Sequence, residues 1–172
     1  MLHLIVGGAR SGKSRYAASL VGAAQATYVA TAMRSDDVDF MARIARHREE
    51  RPASWITVEA PHDPAPAVLQ AVTAYVIVDC ATLWLTNLML ARPTASDEEL
   101  ERVADVAVAC FARAGRVREV IVVTNEVGGG IVPVDALARR FVDLQGRVNQ
   151  RLAEAAERVV LMVAGIPVEV KR

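Results

Sequence analysis

The chain has 172 residues, which matches one compact domain against a soft prior of roughly 150 residues per domain. Hydrophobic residues make up 53% and aromatic ones only 5%, so a core built largely of Ala and Val can form without disulfide or zinc staples. Twenty Lys and Arg balance twenty Asp and Glu, and a net charge of zero argues against a broad basic face for nucleic acid.

In chain order, the first element is an apolar run, Leu2–Val6, read as a strand with a structural His3 inside it. It is too short for a signal-peptide core, so the default address is the cytoplasm. The run enters Gly7-Gly8-Ala9-Arg10-Ser11-Gly12-Lys13-Ser14, a full match to G-x4-G-K-[ST], and a helical pattern (Tyr16, Ala17, Leu20) leaves it. Gly7 and Gly12 let the backbone curl so that successive N–H groups form an anion nest at a helix N-terminus. Lys13 would reach the β- and γ-phosphates and the Ser14 hydroxyl would ligate Mg²⁺.

A second strand is expected over Thr27–Thr31. Asp36, Asp37 and Asp39 then open a helical pattern that Arg43, Arg46 and Arg48 close, as the helix dipole prefers. Phe40, Ile44 and His47 share one face of that helix and form an inward stripe ending in the imidazole. Flanked by Arg46, Arg48 and Arg51, His47 is either a nucleophile among phosphate-binding guanidiniums or a C-terminal histidine satisfying helix carbonyls. Trp55–Glu59 reads as a strand and His62 as loop.

Tyr75–Asp79 is an apolar strand ending in a carboxylate, the pattern of a second Mg²⁺ ligand beside a phosphate loop. The competing reading has Asp79 cap a helix starting near Thr82. The apolar stretch from Ala74 to Ala91 contains Asp79, Thr82, Thr86 and Asn87, so it reads as protein interior rather than a membrane span. Ser96 and Glu99 form a capping box before the stripe Leu100, Val103, Ala104, Ala107, Phe111 and Ala114. Val120–Thr124 is a strand, and Leu137 to Ala155 a long amphipathic helix with Arg139, Arg140, Arg147 and Arg151 off its stripe. Val159–Val163 and a weaker Pro167–Val170 close the set. Cys80 and Cys110, in no CxxC pair, are expected reduced and buried.

Short strands alternating with helices imply an α/β fold: a mostly parallel sheet with helices on both faces, a single P-loop NTPase-type domain over residues 1–172. Four functional readings fit a nucleotide-binding loop of this kind. They are a transferase using His47, a simple small-molecule kinase in which His47 is structural, a nucleotide-dependent binding or assembly module without chemistry on a second substrate, and a regulatory GTPase. The last normally carries N-K-x-D, and Thr124-Asn125-Glu126-Val127 is not that motif.

The segment from Ala42 to Trp55 (A-R-I-A-R-H-R-E-E-R-P-A-S-W) resembles the signature of the bifunctional adenosylcobinamide kinase/adenosylcobinamide-phosphate guanylyltransferase family. So do Gly7–Arg15, Tyr28–Ala32, Thr86–Leu88, Val123–Gly128, Gly130–Pro133 and Gly146–Gln150, in the same order from end to end. The resemblance implies phosphorylation of adenosylcobinamide by ATP or GTP, then transfer of GMP from GTP through a guanylylated histidine, with loss of pyrophosphate. By position in the motif that histidine is His47, with Lys13 as the other catalytic residue. The implied nucleotide contacts are Gly7, Gly8, Ala9, Arg10, Ser11, Gly12, Lys13, Ser14, Thr31, Ala32, Met33, Arg48, Glu49, Glu50, Arg51, Glu59 and Asp79, with Ser14 and Asp79 on Mg²⁺. The resemblance further implies a corrinoid substrate and a homotrimer, with no nucleic-acid partner and no membrane span. Val127–Pro133, Arg147 and Asn149 are candidates for the corrinoid pocket.

Overall fold

The computed structural model describes residues 1–172. Seven strands form one sheet: β1 (Leu2–Gly7), β2 (Ala26–Ala30), β3 (Ile56–Glu59), β4 (Tyr75–Asp79), β5 (Glu119–Asn125), β6 (Arg158–Val163) and β7 (Ile166–Lys171). Their order is β3-β2-β4-β5-β1-β6-β7. The first six run parallel, and β7 returns antiparallel to β6. The mostly parallel α/β expectation is therefore met. Six helices connect the strands: α1 (Lys13–Val21), α2 (Val38–Glu49), α3 (Ala65–Gln70), α4 (Ala81–Ala91), α5 (Asp97–Gly115) and α6 (Ala136–Ala155). None is long and apolar enough to cross a membrane.

The continuous Val/Ile/Leu runs follow from burial on both sheet faces. Along β1, β4 and β5, Leu4, Val76, Val78, Val120 and Val122 point into one core, and Ile5, Ile77, Ile121 and Val123 into the other. The first core holds 26 buried residues under α3 to α6; the second holds only 12, under α1. The two faces are thus unequal. Helix α2 adds to neither, since it buries no residue at all.

Ser96 and Glu99 form the expected capping box at the start of α5. Asp97 and Asp105 on α5 pair with Arg140 and Arg151 on α6, and Glu101 takes Arg147, so the off-stripe arginines clamp these two helices together. His3 is structural: its Nε2 lies 2.5 Å from Glu119 Oε2.

Some boundaries differ from the sequence reading. Strand β2 stops at Ala30 because the Thr31 carbonyl accepts from Asn87 Nδ2 (2.8 Å) instead of continuing the ladder. Trp55 precedes β3, its N–H donating to Pro52 O in a turn (3.0 Å). Strand β7 is exposed at every position, so it lies at an open edge without the double-sided burial of the others. Both cysteines are free as expected, but Cys110 is only half-buried because it sits at the margin of the α5 stripe.

Candidate active site

The phosphate loop fills the turn from β1 into α1. A Cβ on Gly7 would sit 2.7 Å from Met162 O and 2.8 Å from Ser11 Oγ, so no side chain fits there. Gly12 (φ 90°) and Arg10 (φ 57°) both adopt the left-handed conformation that curls the loop. No side chain caps α1, which leaves its first N–H groups free for an anion. Lys13 is 7% exposed and folds back across the loop, donating from Nζ to Gly8 O at 2.6 Å. Burial lowers its pKa from the usual lysine value, with the negative charge of Asp79 among the opposing influences. An incoming phosphate would take over the role of the Gly8 carbonyl and supply the missing counter-charge.

Asp79 ends β4, two strands from the loop. The N-cap of α4 is Cys80, without a side-chain cap, so the helix-cap reading of Asp79 does not hold. Its Oδ2 instead accepts from Tyr28 Oη at 2.5 Å. Tyr28 stacks on Trp55 (ring centroids 6.3 Å apart), and the Arg51 guanidinium sits 3.5 Å over the Tyr28 ring. Burial, with the neighbouring Asp79 carboxylate next in importance, pushes the Tyr28 hydroxyl well above the usual tyrosine range. It therefore remains a donor. The sequence reading missed Tyr28, which looks there like any core aromatic. Only the β2–β4 register, pairing Tyr28 with Ile77 and Ala30 with Asp79, puts the hydroxyl diagonally across from the carboxylate.

The stripe of α2 faces a cavity rather than the core. Phe40, Ile44 and His47 are half-buried and line a space of about 650 Å³. His47 makes no hydrogen bond to helix carbonyls; its nearest charged partner is Glu50, Oε2 to Nδ1 at 3.9 Å. The same cavity is lined by Ser14, Asp79 and Asn125 from the sheet side and by Arg48 and Arg51 from the α2 side. Ala32, Met33 and Glu59 complete the expected residues found there.

Thr31, Glu49, Glu50 and the loop residues before Ser14, Lys13 included, do not line it. Thr31 is fully buried, and its hydroxyl is spent on Cys80, donating to the carbonyl (2.8 Å) and accepting from the N–H (2.7 Å). It latches the β2 end to the β4 end. Cys80 is a cavity residue that sequence reading did not single out, and burial pushes its thiol up to about 12. Of the corrinoid candidates, Asn149 is buried in a network with Thr124 and Gln145, and Arg147 is held by Glu101. Ile131 in the 127–133 loop is 97% exposed.

A curled glycine loop, a buried lysine, and a strand-end carboxylate across an intervening strand define a P-loop nucleotide-binding protein. Over residues 3–170 the chain matches the family model described as cobinamide kinase / cobinamide phosphate guanyltransferase, and it belongs to that family. It is 43% identical to the bifunctional adenosylcobalamin biosynthesis protein CobU of Salmonella typhimurium strain LT2, covering 99% of this chain and 100% of that one. It is also 43% identical to the CobP protein of the same description in Pseudomonas aeruginosa strain PAO1 (99% and 98% covered). Identity to the CobU protein of Escherichia coli strain K12 is 39% (99% and 100%). Among solved structures, the P4 protein from bacteriophage phi13 superposes with a TM-score of 0.47 and 14% identity; the chain spans 52% of that protein's length.

Proposed function

We propose that one cavity serves both reactions of this cobalamin-biosynthesis enzyme, kinase and guanylyltransferase, with His47 as the covalent carrier of GMP. The carrying observation is that Ser14, Asp79 and His47 line a single space of about 650 Å³. In the kinase step a hydroxyl of the corrinoid attacks the γ-phosphorus of ATP or GTP and the nucleoside diphosphate leaves. In the second step His47 attacks the α-phosphorus of GTP and the bond to pyrophosphate breaks. The phosphate of the phosphorylated corrinoid then attacks the same phosphorus, and the P–N bond breaks.

Lys13 and the loop amides hold the non-reacting phosphates in both steps. Arg48 and Arg51 are suited to the charge near His47. One hydroxyl, of Ser14, and one carboxylate, of Asp79, in the same cavity fit a nucleotide-borne Mg²⁺, which typically takes one or two protein ligands and keeps phosphate and water as the rest. The Ser14 hydroxyl and the Asp79 carboxylate would hold it, and its charge, when bound, offsets that of the phosphates. The lowered pKa of Lys13 and the Tyr28 contact to Asp79 support that reading. We further assign residues 1–172 to one catalytic domain acting in the cytoplasm as a homotrimer, on the strength of the family pattern.

Labelled GTP tests this reading. α-Labelled GTP with Mg²⁺ should leave an acid-labile, base-stable protein adduct, absent in His47→Ala, and γ-labelled GTP should leave none. Absence of any adduct in the wild type reduces the protein to a simple kinase.

A further inference from the structure

Asn125 ends β5, the strand that lies between the phosphate-loop strand β1 and the Asp79 strand β4. In register it pairs with Gly7, the first residue of the loop, and reaches two residues beyond Val123, the partner of Asp79. Its backbone is tied on every side. Its N–H donates to Thr82 Oγ1 (2.8 Å), and its carbonyl accepts from Asn149 Nδ2 (3.0 Å). Asn149 is itself fixed by Gln145 and Thr124, and the next N–H, of Glu126, donates to Gly7 O (3.1 Å). The side-chain amide, by contrast, has no protein partner and lines the cavity beside Ser14 and Asp79.

With its backbone so firmly held, the side-chain amide sits at a fixed point of the cavity with its donors free for something the protein itself does not contain. Between the loop and the carboxylate, that something is the terminal phosphoryl group. We infer that Asn125 is a catalytic residue of the kinase step, its Nδ2–H₂ donating to a non-bridging oxygen of the γ-phosphoryl group in flight. The acceptor oxygen forms the new P–O bond, the bond to the β-phosphate oxygen breaks with its electron pair leaving on the diphosphate, and the hydroxyl proton passes to water. A neutral amide takes no proton, so Asn125 supplies orientation and charge stabilisation only. When His47 attacks the α-phosphorus, the γ-phosphate is merely part of the leaving pyrophosphate, and the same contact is worth much less. Asn125 therefore separates two reactions that share one cavity, an inference that rests on the shared-cavity reading above.

The test compares Asn125→Ala and Asn125→Asp with wild type in two assays: adenosylcobinamide phosphorylation and adduct formation at His47 from α-labelled GTP. For Asn125→Ala, kcat of phosphorylation should fall on the order of 100-fold with little change in nucleotide KM, and adduct formation by less than about tenfold. Asn125→Asp, nearly isosteric but with an acceptor or a negative charge replacing the donor, should phosphorylate no faster than Asn125→Ala. Equal losses in the two assays, no loss in phosphorylation, or faster phosphorylation in Asn125→Asp overturns the assignment. Failure of the wild type itself to form the adduct overturns the shared-cavity reading instead. None of the three backbone ties uses the Asn125 side chain, so both variants should fold, as circular dichroism will show.

Discussion

The Tyr28 hydroxyl donates to Asp79 Oδ2 at 2.5 Å, across from one parallel strand to the next. One carboxylate oxygen is thereby fixed, on a residue that lines the same cavity as Ser14. Tyr28→Phe keeps the ring, its stacking on Trp55 and the Arg51 contact, and removes only this hydroxyl. The freed carboxylate can then rotate away. The variant should need several-fold more Mg²⁺ for half-maximal kinase activity and lose about 1 kcal/mol of stability. Mn²⁺ binding in the presence of a non-hydrolysable GTP analogue, followed by electron paramagnetic resonance, should weaken in parallel. Unchanged metal dependence in both measurements would leave the hydroxyl a packing group.

Lys13 carries a different cost. Its pKa is lowered by burial, so below that value the folded state holds a charge that the unfolded chain keeps more easily. The unfolded state binds more protons between the lowered pKa and 10.5, so this contribution to stability rises with pH through that window. Pyrophosphate in the loop supplies the counter-charge. It should raise the melting temperature of the wild type at neutral pH, and Lys13→Ala should abolish that gain. The same variant should slow both the kinase and adduct formation on the order of 100-fold. Retention of either activity at full rate would mean that the loop does not grip the nucleotide through Lys13.

The acid limb of stability should reflect Glu157. Burial would raise its carboxyl, but hydrogen bonds from backbone N–H groups, that of Leu2 foremost, outweigh this and hold it below 4.5. For a depressed carboxylate the stabilisation is present above the unfolded pKa and disappears as pH falls through the folded one. Glu157→Gln keeps an acceptor but not the charge. Wild type should melt above Glu157→Gln at pH 6, and the gap should close below pH 4. An equal gap at both pH values would assign the effect to packing.

Much of this was legible in the sequence because it depends on local chemistry. Gly7–Ser14 needs only its own spacing, Ser96 and Glu99 cap their own helix, and the Val/Ile runs announce burial on both faces. The stripe Phe40, Ile44, His47 was also readable as one face, but not what that face meets. Amphipathic spacing marks a side turned from water without saying whether a core or a cavity receives it. Residues whose roles arise across strands stayed hidden. Tyr28 depends on the β2–β4 register, Asn125 on β5 lying between β1 and β4, and the spent hydroxyl of Thr31 on the backbone at Cys80. Strand order is set by long-range packing, and no local pattern carries it.

Helix α2 buries no residue and so belongs to the least anchored part of the fold, suited to carrying His47 toward a bound nucleotide. Whether the imidazole receives the nucleotide is answered most directly by mass spectrometry of protein incubated with GTP and Mg²⁺ without the corrinoid. Peptide mapping should find one added guanylyl group, on His47, discharged when phosphorylated corrinoid is supplied. A guanylyl group on any other residue, or an unmodified His47 at saturating GTP, would contradict the assignment.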